Sequence, residues 1–261
     1  MTAGEAAPDR VVWQVTGADR FRFLQGLVSN DVLPLERGPG IRWAALLTPQ
    51  GKYLADFLLV RPEGSDRLLI DIAVCLAADT LKRLTMYRLR ADVQIAPVQM
   101  AVTRGLGPAP EGAMADPRHA ALGWRAYGLA GEAPAIDWDA IRVAHCIPES
   151  GIELQPNETY LLEAGFERLQ GVDFRKGCYV GQEVTARMKH KTELRKGLVV
   201  LAIDGAAPIG TPIMAGDREA GILFTQSGGR AIAQMRFDRM EGPLTAQGAR
   251  LAALPEAAAG A

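Results

Sequence analysis

From Gly197 onward the chain breaks into short apolar runs at close spacing, residues 198–203, 211–214, 220–226 and 231–236, with glycine-rich turns between them. Runs of that length cannot each cover a helix of three turns, and their β-branched and aliphatic content suits strands, so the region is expected to close into a small barrel or sandwich. Upstream the pattern is mixed. Strand-like and helix-like segments alternate irregularly rather than in βαβ order, which favours an α+β body over a doubly wound parallel sheet.

The body divides as follows. Residues 11–15 read as a strand, and residues 19–28 as a helix with Phe21, Leu24, Leu27 and Val28 on one face, stopped by Ser29, Asn30 and Asp31. Residues 41–47 and 53–60 flank Thr48-Pro49-Gln50-Gly51, a turn sequence that predicts a hairpin. A strand over 67–74, a helix over 77–90 opened by Asp79, and an extended segment over 93–103 follow. Residues 105–118 read as a surface loop and residues 122–127 as a strand; Asp137 is placed to cap a helix reaching Cys146, with Trp138, Ile141 and Ala144 inward.

With 48% hydrophobic and 23% charged residues in 261, the chain can bury a sizeable core. Its longest apolar runs fall far short of the ~20 residues of a membrane span. The acidic, Ala-rich start has neither a signal-peptide nor a transit-peptide pattern, so a cytoplasmic protein with no membrane partner is expected. A formal net charge of −1 excludes a global field for nucleic acid. Cys75, Cys146 and Cys178 show no CxxC spacing and the three histidines no HxxxH pair, so no metal site is expected.

One stretch concentrates the unusual choices. In residues 173–187 two glycines, Gly177 and Gly181, bracket Cys178 and Tyr179 just before a helical pattern, with Lys176 adjacent. A thiol near a helix start and a lysine is favoured as thiolate, which makes Cys178 the candidate reactive group; the competing reading has the glycines making a turn while Cys178 and Tyr179 fill core space. Between Arg175 and Lys196 the local excess is five positive charges, Arg187 among them, enough to attract a glutamyl tail or phosphates.

The eight residues Lys176-Gly177-Cys178-Tyr179-Val180-Gly181-Gln182-Glu183 resemble the K-G-C-[FY]-x-G-Q-E signature of the YgfZ family, folate-binding proteins related to aminomethyltransferases. Residues 15–32, with Phe23-Leu24-Gln25-Gly26-Leu27 and Asn30-Asp31, resemble the family's N-terminal motif, and Leu47-Thr48-Pro49-Gln50-Gly51-Lys52 its L-x-P-x-G-[KR]. The resemblance implies an aminomethyltransferase-like ring of three subdomains with a C-terminal small β-barrel. Residues 1–190 would form the folate-binding α+β region of two interleaved subdomains, 191–254 the barrel, and 255–261 a disordered tail.

It also implies tetrahydrofolate as cofactor, with Gln25, Asn30, Asp31, Lys176 and Arg187 as its contacts, and Cys178 as the active thiol within a motif that includes Gly177, Tyr179, Gly181, Gln182 and Glu183. The implied role is assembly or repair of iron–sulfur enzymes, with client enzymes or assembly proteins as partners and tRNA only indirectly, through a tRNA-modifying client. Two rival readings stand beside it, a folate-dependent aminomethyl transferase and a direct tRNA-binding protein. Against the transferase, residues 127–134 lack the G-E-x-G-x-E stretch of those enzymes.

Overall fold

The computed structural model describes residues 4–254, and the tail assigned to 255–261 lies outside them. The chain divides into two compact units. The first comprises Met1–Ile136, Pro156–Leu161 and Phe166–Ala186; the second comprises Asp137–Gln155, Leu162–Gly165 and Arg187–Ala261.

In the first unit the elements are β1 (Glu5–Ala6), β2 (Arg10–Thr16), α1 (Arg20–Gln25), α2 (Leu33–Arg37), β3 (Gly40–Leu47), β4 (Tyr53–Arg61), β5 (Leu68–Ala73), α3 (Val74–Arg88), β6 (Gln94–Val98), β7 (Val102–Gly105), β8 (Met114–Ala115) and β9 (Trp124–Tyr127). Five of these strands form an antiparallel sheet in the order β3-β4-β5-β2-β6, and four a second sheet, β1-β7-β9-β8. β4 is buried on both faces up to Val60, which is why its sequence runs apolar without the alternation of a half-exposed strand. The expected hairpin is β3–β4, turning through Thr48–Gly51, where the Gly51 N–H donates to the Thr48 carbonyl at 2.9 Å.

Several boundaries differ from expectation, each for a local reason. α1 ends at Gln25 because the Gln25 carboxamide leaves the helix face, its Oε1 accepting from the Val32 N–H at 2.8 Å. α3 starts at Val74, so Asp79 stands in its second turn rather than opening it. The segment 93–103 splits into β6 and β7, which join different sheets, and β8 forms within the segment read as a loop.

The second unit contains α4 (Trp138–His145) and the barrel strands β10 (Lys196–Asp204), β11 (Pro212–Ala215), β12 (Arg218–Ser227), β13 (Arg230–Arg236), β14 (Leu244–Ala246) and β15 (Ala249–Ala253), closed in the order β10-β13-β12-β11-β14-β15. The expected barrel is present, with two closing strands that short runs at 244–253 did not announce. Ala231, Ala233 and Met235 face its interior with Leu201, Ile213 and Leu223, whereas Ile232 on the opposite face packs with Val143 of α4 and Phe224. Asp137 caps α4 as expected, accepting from the Ala140 N–H at 2.9 Å. The buried residues of α4 are Arg142 and Val143, not Trp138, Ile141 and Ala144. Arg142 is held inward by Glu153 and Thr225, both at 2.9 Å, ion pairing that apolar periodicity does not register. The remaining helix, α5 (Gln182–Lys191), begins in the first unit and ends in the second.

Candidate functional site

The segment from Asp173 to Glu183 alternates between inward and outward side chains. An Asx turn starts it, the Asp173 carboxylate accepting from the Arg175 N–H at 2.7 Å. Lys176 then turns inward, Gly177 and Cys178 face solvent, and Tyr179 is buried again. Tyr179 closes the segment onto α5, its carbonyl accepting from the Gln182 N–H at 3.2 Å. Burial pushes the Tyr179 phenol up to about 12, against a hydrogen bond from Thr185 that lowers it. Glu183 is exposed in the first turn of α5, Gln182 is half-buried, and Arg187 is exposed further along the helix in the second unit.

The two glycines of this segment differ. Gly181 has φ +84° and a Cβ there would meet the Thr48 carbonyl oxygen at 2.6 Å, so backbone conformation and close approach both require glycine. At Gly177 the backbone is not left-handed and no atom lies within 4 Å of where a Cβ would stand. Folding does not explain Gly177.

Lys176 is the anchor. Its ammonium donates to the carbonyl oxygens of Gln25 at 2.8 Å, Val28, and Asn30 at 2.9 Å, using all three hydrogens within the loop that follows α1. Burial draws it down to about 8, with the Asp31 and Asp173 carboxylates opposing. The loop it grips is closed by side chains: Gln25 Nε2 donates to Asp31 at 2.9 Å, and Asn30 Nδ2 donates to the carbonyls of Trp43 at 2.8 Å and Gln170 at 2.7 Å. The residues singled out in two distant motifs, Gln25, Asn30, Asp31 and Lys176, are thus brought together. Lys176 has no N–H left for a ligand, and Asn30 has both amide hydrogens engaged.

A cavity of about 420 Å³ in the first unit is lined by Asn30, Arg42, Trp43, Gln170, Asp173 and Arg175 among others. That size is in the range of small-molecule sites. The Trp43 indole is held rigidly, donating to Asp56 at 2.7 Å and stacking on Phe166 with ring centroids 4.0 Å apart, while Tyr53 donates to the other Asp56 oxygen. Behind it lies a buried ion chain that sequence reading did not find. Arg10 and Arg125 pair with Asp71 at 2.6 and 3.3 Å, Arg125 and Arg118 pair with Asp116 at 2.8 and 2.9 Å, and the Arg118 guanidinium lies 6.0 Å from the Trp43 ring. Burial alone would raise both carboxyls; the guanidiniums overcome it and hold Asp71 and Asp116 below the usual range. Trp43 itself is 1% exposed, and the charged lining sets Arg42 and Arg175 alongside Glu167 and Asp173.

Cys75, expected in apolar surroundings, is exposed in the first turn of α3, Cys146 is half-buried, and Cys178 is exposed. Among the described residues no group of three or more His, Cys, Asp or Glu side chains could hold a metal ion.

Residues 195–259 match the C-terminal β-barrel domain of CAF17. Over 288 residues, 93% of this chain and 81% of the relative, the sequence is 29% identical to the human mitochondrial iron-sulfur cluster assembly factor IBA57. The chain is similar to the CAF17 and IBA57 proteins. Likeness to mouse IBA57 is the same, 29% over 90% of the chain and 78% of the relative. The mitochondrial IBA57 homolog of Mycosarcoma maydis is 32% identical over 75% of the chain, which spans 56% of that protein's length. In structure, this chain superposes on the glycine cleavage system aminomethyltransferase T from Bartonella henselae with TM-score 0.70, 14% identity, and coverage of 97% of this chain and 86% of the other. The fold is therefore aminomethyltransferase-like, as the three motifs implied. The cytoplasmic expectation is corrected: these IBA57 relatives are named mitochondrial. Near-neutral charge and a water-compatible surface suit any aqueous compartment, so composition had no power to separate them. Among the described residues no helix is long and apolar enough to cross a membrane.

Proposed function

We propose that this chain is an iron–sulfur cluster assembly factor that presents Cys178 to a partner, with the segment Lys176–Glu183 working as it does in the YgfZ type. The observation that carries this reading is the exposed pair Gly177 and Cys178, anchored by a buried lysine and carrying a glycine that packing does not require, in a chain similar to IBA57 over nearly its whole length. A side chain at position 177 would stand in the space from which a partner reaches the thiol. Soft thiolate is a ligand suited to iron–sulfur chemistry.

Reduced folate belongs to the same proposal on the motif resemblance, with Arg42 and Arg175 on the cavity as the cations for a glutamyl tail. Lys176 contributes by holding the loop, and Arg187 lies on the exposed basic run of α5. A tRNA-modifying enzyme as one client rests on the motif resemblance. Aminomethyl transfer is not proposed, because the likeness to aminomethyltransferase T carries the fold alone.

The test is complementation. In cells depleted of their own factor, this chain should restore iron–sulfur enzyme activity, and Cys178→Ser should fail although it accumulates to the same level. Full restoration by the serine variant would remove Cys178 from the proposal. Calorimetry with tetrahydrofolate should show binding that Arg42→Ala with Arg175→Ala weakens about tenfold or more; absence of heat with the intact protein would remove folate.

A further inference from the structure

The C-terminal end of α3 displays an apolar tip that no core claims. Leu89 is 88% exposed and Met86 68% exposed, with Tyr87 also at the surface. Leu89 follows the last helical residue with φ +44° and ψ −106°, a conformation that glycine adopts at far lower cost than leucine. A leucine kept there, and kept in water, serves neither helix termination nor packing.

Cations surround this tip. Lys82, Arg83, Arg88 and Arg90 are all exposed, and no acidic residue occurs between Thr80 and Ala91. The nearest carboxylates in sequence are Asp79, in the second turn of α3, and Asp92, which is engaged by the Ala18 N–H at 2.9 Å. The helix dipole accounts for basic residues at Arg88 and Arg90, but not for the apolar side chains among them.

We infer that this tip docks on an anionic lipid surface. Four basic residues meet the density at which clusters on a helix recognise acidic headgroups, and Met86 and Leu89 would enter the interface while Lys82 and Arg83 reach phosphates. A stable protein partner is the weaker fit, since three exposed apolar side chains are far short of the roughly 1,200 Å² that such an interface buries.

Sedimentation of the full chain with vesicles tests it. Binding is expected to phosphatidylcholine vesicles containing phosphatidylglycerol, lost in high salt, and absent with phosphatidylcholine alone. Lys82→Glu with Arg83→Glu should weaken it by more than about tenfold. Leu89→Gly should also weaken it, while leaving the thermal transition unchanged or higher because glycine takes this positive-φ conformation without strain. The inference is overturned by no sedimentation with either vesicle, by equal binding to neutral vesicles, or by unchanged binding in both variants; capture of the chain by an acidic protein in place of vesicles would equally assign the tip elsewhere.

Discussion

Lys176 Nζ donates to the main-chain carbonyl of Asn30 at 2.9 Å, joining two segments 146 residues apart in sequence. The bond belongs to a set of three that ties the Cys178 segment to the loop after α1, and it decides which way the motif faces.

Replacing Lys176 with Met should therefore act on stability before chemistry. Three carbonyl oxygens lose their donor in a buried place, at a cost of about 3 kcal/mol in urea unfolding. Supporting evidence would be faster proteolysis within residues 173–181 than in the intact protein. A loss below about 0.5 kcal/mol would mean that the loop holds itself without the ammonium.

Acid should weaken the first unit through its buried carboxylates. Asp71 and Asp116 are held below the usual range by their arginines, so they keep fewer protons folded than unfolded as pH falls through about 4. Their contribution is present above that pH and is lost progressively toward the folded-state values. Asp71→Asn should cost about 4 kcal/mol at neutral pH, because Arg10 and Arg125 each lose a buried carboxylate, Arg125 keeping Asp116. It should also show a flatter decline of melting temperature on acidification. Parallel pH profiles for the two proteins would exclude Asp71 as a source of the acid sensitivity.

The two glycines of the motif should separate under alanine substitution. Gly181→Ala meets the Thr48 carbonyl and a positive φ, and is expected to destabilise by about 2 kcal/mol or more. Gly177→Ala meets nothing and should stay within about 0.5 kcal/mol of the parent in the same denaturation series. Its expected defect is in complementation alone; normal complementation would show that the open space at Gly177 is not used.

Local pattern was enough for much of the fold. The turn at Thr48–Gly51 announced β3 and β4, Asp137 announced the start of α4, and close-spaced apolar runs announced the barrel, because turn chemistry, capping and periodicity act between residues near in sequence. The conspicuous residues of the candidate site were legible in the same way, as an unusual density of Gly, Cys, Lys and Tyr over residues 176–183.

What those residues do was decided by tertiary structure. Lys176 read as a free cation for a ligand and became a clamp; Arg142 broke the apolar face assigned to α4; Asp71, Asp116 and three arginines carried no local mark of forming one buried chain. Cys75 came out exposed although its flanks are apolar. The sequence by itself determined the elements, their approximate limits and the motif on which function is proposed. Only the fold decided where buried charge is paired, because a polar side chain's partner is selected by proximity in space: Asp71 lies 61 residues from Arg10 and 54 from Arg125, and Lys176 lies 146 from Asn30.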